Sequence, residues 1–268
     1  MTAVLCPLCG EKLDSTETGL RCPAGHSFDR ARQGYVNLLP VSQKHSLHPG
    51  DTREQVADRR AFLDEGWYRP IAALVTDIFK KEAPQTVLDV GCGEGYYLSA
   101  VRNALPDAEL FGMDISKDAV RYAAAREKSV CWLVATAAHL PFPQESFDCL
   151  LSMFALTLPE EFSRVLKKGG LFLQVIAHPE HLMGLKQIIY PEIIRKEKLQ
   201  CEPLPGFILE KTCPLDFSFT LEGNERIRRL FGMTPHAFRI GKLGAERLSK
   251  TEVLHDEARI ICNLYRKE

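Results

Sequence analysis

The chain has 268 residues, 45% of them apolar and 26% charged, with a formal net charge of −1. That composition can build a large core and excludes a disordered chain, while the near-neutral balance argues mildly against bulk nucleic-acid binding, so any such contact has to come from a local patch. No apolar run reaches the roughly 20 residues of a membrane span, and Met1 leads into the first cysteines without a signal-peptide pattern; a cytoplasmic protein with no membrane partner is expected, as a small module plus one large domain.

Cys6, Cys9, Cys22 and His26 come first, spaced Cys-x2-Cys, twelve residues, Cys-x3-His. Each half carries Pro and Gly, the residues of tight turns that can aim two ligands at one ion. Four protein ligands leave no position open for water, so the spacing predicts a structural Zn2+ site and not a catalytic one. Cys92, Cys131, Cys149, Cys201, Cys213 and Cys262 are scattered, several inside apolar runs, and read as reduced core thiols.

Residues 30–50 contain no Asp or Glu but hold Arg30, Arg32, Lys44, His45 and His48 around Tyr35, a basic arm or simply a solvated linker. Thr52 and Gln55 form a capping-box pattern for a helix that Gly66 would end. A second helix is expected from Pro70 to just before Pro84. From residue 86 strands alternate with helices: strands at 86–90, 110–113, 130–134, 147–154 and 171–176, with helices at 94–103 and after Ser116. A helix is expected from beyond Pro179 to about Lys198, then extended chain at 206–221 and a last strand region at 252–265. Strand, glycine turn and helix in succession imply right-handed crossovers and a doubly wound parallel sheet.

Asp89-Val90-Gly91-Cys92-Gly93-Glu94-Gly95 falls at the first strand-to-helix junction, on the carboxyl edge where open α/β sheets bind ligands. Its Gly-x-Gly-x-Gly spacing differs from dinucleotide loops, and no phosphate-binding lysine follows. A loop headed by an acid suits a cationic amine, and Asp114, at the end of the next strand, can accept from both hydroxyls of a ribose. Together these specify S-adenosyl-L-methionine, held by Asp89, Gly91, Gly93, Gly95 and Asp114. His139 and Leu140 follow the third strand, where backbone can edge the adenine while Leu140 packs on it; an ordinary turn with a surface histidine is the alternative. No Asn/Asp-Pro-Pro-Tyr/Phe tetrapeptide occurs in residues 147–157, which disfavours transfer to an exocyclic amine, and Cys149 sits in a strand pattern as core.

The zinc spacing, Gly34-Tyr35-Val36-Asn37-Leu38-Leu39-Pro40, Pro49-Gly50-Asp51, Arg60-Ala61-Phe62-Leu63, the loop with Tyr96-Tyr97, and His181-Leu182-Met183 are similar to one family. Over nearly its whole length the chain resembles the bacterial 23S rRNA (guanine-N1)-methyltransferases of the RlmA type. The resemblance implies a Rossmann-like class I methyltransferase domain at 51–268 behind a zinc-binding, RNA-recognising module and arm at 1–50. It implies methylation of N1 of a guanine in a domain II hairpin of 23S rRNA near the peptide exit tunnel. It also implies zinc on Cys6, Cys9, Cys22 and His26, and cofactor contacts from Tyr68, Gly93, Glu94 and His181. One departure stands out: Ala155-Leu156-Thr157-Leu158-Pro159 replaces the family's proline turn after the fourth strand, beside the reaction centre.

Guanine N1 lies on the Watson–Crick edge and carries a proton, so the base has to be unpaired and the proton removed. Tyr35, Trp67 and Tyr68 are candidate stacking aromatics, with core packing as the alternative, and His178, His181 and Glu94 are candidate bases, none singled out. A small-molecule (quinone or metabolite) methyltransferase would leave the zinc module and acid-free arm idle. A non-catalytic zinc RNA-binding protein would not need the intact acids and glycines. The sequence leaves a homodimer open.

Overall fold

The computed structural model describes residues 2–43, 49–193 and 203–268. Four short strands, β1 (Val4–Leu5), β2 (Lys12–Ser15), β3 (Gly19–Arg21) and β4 (Ser27–Asp29), make a small antiparallel sheet in chain order. The next strand, β5 (Val36–Asn37), leaves that sheet and pairs in parallel with a strand of the large one. Residues 36–37 of the expected arm are thus the edge of the catalytic sheet.

Two helices follow, α1 (Arg53–Asp64) and α2 (Arg69–Glu82). The capping box forms as the sequence predicts: Gln55 N–H donates to Thr52 Oγ1 at 3.3 Å, and Thr52 N–H donates to Gln55 Oε1 at 3.0 Å. β6 (Thr86–Val90), α3 (Tyr96–Ala104), β7 (Glu109–Asp114), α4 (Lys117–Arg126), β8 (Cys131–Val134), β9 (Phe147–Met153), α5 (Pro159–Val165) and β10 (Leu166–Ala177) alternate as expected. Ser116 caps α4. β10 starts earlier than the sequence suggests, because Lys167 to Gly170 are taken up as an irregularity inside it: Leu166 pairs with Phe147 and Leu171 with Cys149.

The large sheet runs β11-β12-β10-β9-β6-β7-β8-β5, where β11 (Phe207–Glu222) and β12 (Val253–Lys267) form an antiparallel hairpin beside five parallel crossover strands and β5. The strand order reverses between β6 and β9, which opens a crevice at their carboxyl ends. The expected long helix after Pro179 is only α6 (Met183–Ile189): Tyr190 turns extended directly before Pro191, whose ring disfavours helical geometry in the preceding residue. The end of that expected helix, including Lys198, lies outside the described residues. Between the hairpin strands sit α7 (Asn224–Gly232) and α8 (Lys242–Lys250), neither of them expected from the sequence. Gly223 and Gly241 precede them without a side-chain cap, so the usual start signal is missing.

Packing fixes two glycines. The ring of Trp132, buried on β8 with its Nε1–H donating to the Glu127 carbonyl at 2.7 Å, fills the space over β7. A Cβ on Gly112 would lie 2.2 Å from that ring, and one on Gly95, at φ +80°, 2.7 Å from it. The indole therefore positions the start of α3 and the glycine loop ahead of it. Gly112→Val should lower stability by about 1–3 kcal/mol or more through overpacking, read as a fall in the urea midpoint; an unchanged midpoint would show that the indole can move aside.

Candidate active site and metal centre

In the small sheet each half of the zinc pattern is a turn closed by glycine. Gly10 N–H donates to the Cys6 carbonyl and Gly25 N–H to the Cys22 carbonyl, both at 2.9 Å, with φ of +76° and +90°. These turns bring Cys6, Cys9, Cys22 and His26 together, all four ligand atoms within 4.8 Å of one another. A tetrahedral ion with Zn–S of about 2.3 Å and Zn–N of about 2.0 Å demands edges of about 3.8 Å between sulfurs and about 3.6 Å from sulfur to nitrogen. Cys9 Sγ to Cys22 Sγ is 3.7 Å, and His26 Nδ1 lies 3.6 Å from Cys6 Sγ and 3.4 Å from Cys22 Sγ. The donor set and its spacing fit zinc.

This ribbon is not a separate body. Val4, Leu13 and Leu20 share one buried cluster with Val36, Leu38, Leu133, Leu140 and Phe142. Leu5 N–H also donates to the Pro141 carbonyl at 2.8 Å.

At the sheet's crevice Gly91, Gly93 and Gly95 all adopt positive φ (+79°, +55° and +80°), which L side chains rarely take. Their surroundings differ. A Cβ at Gly91 would meet Ala155 at 2.6 Å, whereas the nearest atom at Gly93 is the Arg59 guanidinium, 3.8 Å away. Gly91 and Gly95 are packed by protein; Gly93 faces open space, a cradle that a larger side chain would fill.

Three carboxylates converge on this loop. Asp114 is held in place by two backbone donors, Gly93 N–H to Oδ2 at 3.0 Å and Ser116 N–H to Oδ1 at 2.8 Å. Each oxygen keeps a second lone pair for a hydroxyl donor, the requirement for holding a ribose. Asp89 and Glu94 are 1% and 2% exposed, and Asp89 Oδ1 and Glu94 Oε1 have no hydrogen-bond partner among the described residues. Burial raises the pKa of all three; the charges of Asp114 and Glu94 push Asp89 further, and Arg59 and Arg126 oppose the rise at Glu94. Orphaned acids beside an open glycine suit a ligand with a cationic amine and hydroxyls, as in S-adenosylmethionine.

Tyr68 and His181 meet deeper in, Oη to Nε2 at 3.2 Å. Arg259 N–H donates to His181 Nδ1 at 3.1 Å. The Nδ1 lone pair is therefore used, the neutral ring carries its hydrogen on Nε2, and Tyr68 Oη accepts it, leaving the hydroxyl hydrogen for another acceptor. Burial lowers the His181 pKa to about 4, which keeps the ring neutral. With both nitrogens engaged, His181 offers no lone pair to a substrate. His178 spends Nδ1 on Glu180 N–H at 3.1 Å.

The structure treats the remaining sequence candidates differently. His139 is exposed on a turn. Leu140 is 4% exposed in the core shared with the ribbon, its N–H donating to Glu161 and its carbonyl accepting from Arg164, both at 2.9 Å, so its side chain and both backbone groups are already engaged. Tyr35 and Tyr68, at 5% and 3% exposure, are core residues, and Trp67 packs on Phe62 and Phe219; none of the three is an open base platform. The sequence missed Arg59, which pairs with Asp51 and donates to the Met233 carbonyl at 3.3 Å, tying α1 over the glycine loop. Nothing local distinguishes it from the other arginines of α1.

The fold and this site define an S-adenosylmethionine-dependent methyltransferase carrying a zinc ribbon. Residues 4–47 match the family described as RlmA, N-terminal, and residues 87–170 match a methyltransferase domain. The chain is 36% identical over 228 residues to the 23S rRNA (guanine(748)-N(1))-methyltransferase of Streptomyces fradiae, covering 83% of this chain and 77% of that one. Relatives from Micromonospora griseorubida and Bacillus subtilis, assigned 23S rRNA (guanine-N(1)-)-methyltransferase names provisionally, are 37% and 34% identical over 67% and 71% of this chain and 67% and 70% of theirs. The chain belongs to the family of 23S rRNA (guanine-N1)-methyltransferases.

Two outcomes follow from this geometry. Metal analysis should give one zinc per chain, lost in Cys22→Ala; because binding of this kind contributes roughly 10–16 kcal/mol, chelation should open the ribbon to protease and loosen the 139–142 loop packed on it. Unchanged protease resistance after complete metal removal would show that the ribbon folds without zinc. Asp114→Ala should weaken S-adenosylmethionine binding about ten- to hundredfold by calorimetry with the fold intact, the worth of charge-assisted hydrogen bonds. Gly93→Val should be more severe. Wild-type affinity in Asp114→Ala would move the ribose contact elsewhere.

Proposed function

We propose that this protein transfers the methyl group of S-adenosylmethionine to N1 of a guanine in a domain II hairpin of 23S rRNA, near the peptide exit tunnel, in the bacterial cytoplasm. What carries the reading is the pairing of a zinc ribbon with the acid-lined glycine loop on one core, together with 36% identity across most of the chain to a 23S rRNA guanine-N1 enzyme. Tyr68, Asp89, Gly91, Gly93, Glu94, Gly95, Asp114 and His181 form the cofactor site in this reading; His139 and Leu140 border it through the turn and its core. Residues 1–50 recognise RNA and 51–268 hold the cofactor, with β5 as the tie between them.

S-adenosylmethionine supplies a methyl group already activated on a sulfonium. The chain's own work is to position the base, exclude water and fix the cofactor's orientation, since alignment of the attacking nitrogen accounts for much of the barrier. The Tyr68–His181–Arg259 chain orients one hydroxyl donor without changing charge near neutral pH. Two basic surfaces support an RNA substrate. Arg21, Arg30 and Arg32 are exposed on and beside the ribbon. Residues 224–250 hold seven Lys/Arg against two Glu, with Arg228, Arg239, Lys242 and Arg247 exposed. Lys44, His45 and His48 of the arm lie outside the described residues.

A primer-extension test reads the reaction directly, because N1-methylguanine cannot form a Watson–Crick pair and arrests copying. The wild type should produce one stop on a 23S rRNA domain II transcript; labelled methyl appearing only in small-molecule extracts would overturn the reading. Arg30→Ala with Arg32→Ala should lower the salt slope of RNA binding by about one unit per lost phosphate contact and leave cofactor affinity unchanged. An unaltered slope would reduce the arm to a linker and move recognition to residues 224–250.

A further inference from the structure

The buried state of Tyr35 and Tyr68 leaves a question of chemistry: an unpaired guanine needs an aromatic face beside the methyl donor, and neither of these rings presents one. One ring at the mouth of the site does. Phe154 follows β9 at the crevice and is 41% exposed. Its backbone has φ +55°, a conformation that glycine or asparagine adopts far more readily than phenylalanine. Folding alone gives no reason for a large apolar ring there.

Its neighbours place it beside the glycine loop and His181. Ala155 lies against Gly91, so the Phe154 backbone is one residue from contact with the cofactor loop. The Phe154 ring lies 6.4 Å from the His181 ring at an interplanar angle of 29°, nearly parallel to it. Leu156, two residues on, is 76% exposed and extends the apolar lip. The loop is also braced from behind: Gln174 Nε2 donates to Thr157 Oγ1 at 2.8 Å, Asn263 Nδ2 to Gln174 Oε1 at 3.2 Å, and Thr212 Oγ1 to Asn263 Oδ1 at 2.9 Å. Phe154 N–H donates to the Val175 carbonyl at 2.8 Å, which fixes the residue to β10. A strained, exposed aromatic on a braced loop is preorganised for a flat ligand.

We propose that Phe154 is the stacking platform for the target guanine and that Leu156 packs on the adjoining nucleotide, so that the segment 154–157 sets which base enters. This inference rests on the rRNA reading above. It also accounts for the departure at Leu156-Thr157: the segment is a substrate surface, and Thr157 is its anchor to Gln174.

The test uses the full-length zinc-loaded protein and a 23S rRNA domain II transcript. Phe154→Gly accepts the positive φ, so its denaturation midpoint should match or exceed that of the wild type. Its kcat/KM for RNA should fall roughly ten- to hundredfold, the effect of one lost base stack, with S-adenosylmethionine affinity unchanged by calorimetry. Phe154→Trp should restore most of the activity. With 2-aminopurine at the target position, fluorescence should be quenched by the wild type and bright with Phe154→Gly. Wild-type kcat/KM in Phe154→Gly, or an equal loss of cofactor affinity, would overturn the proposal while leaving the rRNA reading in place. A wild type inactive on rRNA would instead remove the rRNA reading and this inference with it.

Discussion

Three carboxylates, the buried Asp89 and Glu94 and the half-buried Asp114, crowd around one glycine loop, and much of the structure serves to keep them there. Burying an acid raises its pKa, and a neighbouring acid raises it further, as at Asp89. The arrangement persists because backbone N–H groups of Gly93 and Ser116 and the charge of Arg59 offset part of that cost at Asp114. The same electrostatics select the ligand. A phosphate would be crowded by the three acids, while an amine and a pair of hydroxyl donors find the lone pairs they need. Trp132 holds Gly95 from below and Ala155 packs on Gly91, so the loop's shape is set by protein contacts and its open side by Gly93.

The zinc ribbon enters this arrangement through packing. Val4, Leu13 and Leu20 lie in the cluster that also buries Leu140 and Phe142. Arg164 then binds the Leu140 and Phe142 carbonyls and forks onto both oxygens of Glu161, while Glu161 accepts from Leu140 N–H. Metal binding is folding energy for a ribbon this small. Part of it therefore stabilises the turn after β8, at the carboxyl edge where the cofactor loop sits. A zinc ribbon and a catalytic edge that share one core are held in a fixed relation by packing, which suits an enzyme that has to place a single base accurately.

Much of this was legible in the sequence, for identifiable reasons. Spacing gave the zinc ligands, because two tight turns constrain four residues locally. The parallel strands and the glycine loop were readable because a doubly wound sheet repeats one local grammar of apolar strand, glycine and capped helix. The capping box at Thr52 and the cap at Ser116 formed as expected. What failed depends on long-range contact. Val36 and Asn37 carry no strand pattern of their own and are strand only because β8 offers an edge. The burial of Leu140 in the core shared with the ribbon has no sign in its local sequence. Tyr35 reads as a base platform until its burial is known. The helices α7 and α8 start at glycines without side-chain caps, so their signal is an amphipathic stripe too short to stand out.

Aromatic residues divide the work at the catalytic edge by burial. Tyr68 is buried beside Phe62, Phe217 and Phe219, and its hydroxyl is oriented by a histidine whose tautomer a backbone N–H dictates. Such a group is suited to a ligand that is the same in every turnover, because nothing about it needs to adapt. Phe154 stacks on the same histidine, exposed and at a conformation its own side chain disfavours, which suits the proposed RNA substrate, a ligand attached to a large polymer. His181 thus contacts both rings. Its lowered pKa keeps it uncharged near neutral pH, so it meets both as a neutral ring with a single N–H donor. A charged imidazolium there would add a cation to the site proposed to hold a sulfonium; burial prevents this and keeps the ring a neutral neighbour for both Tyr68 and Phe154.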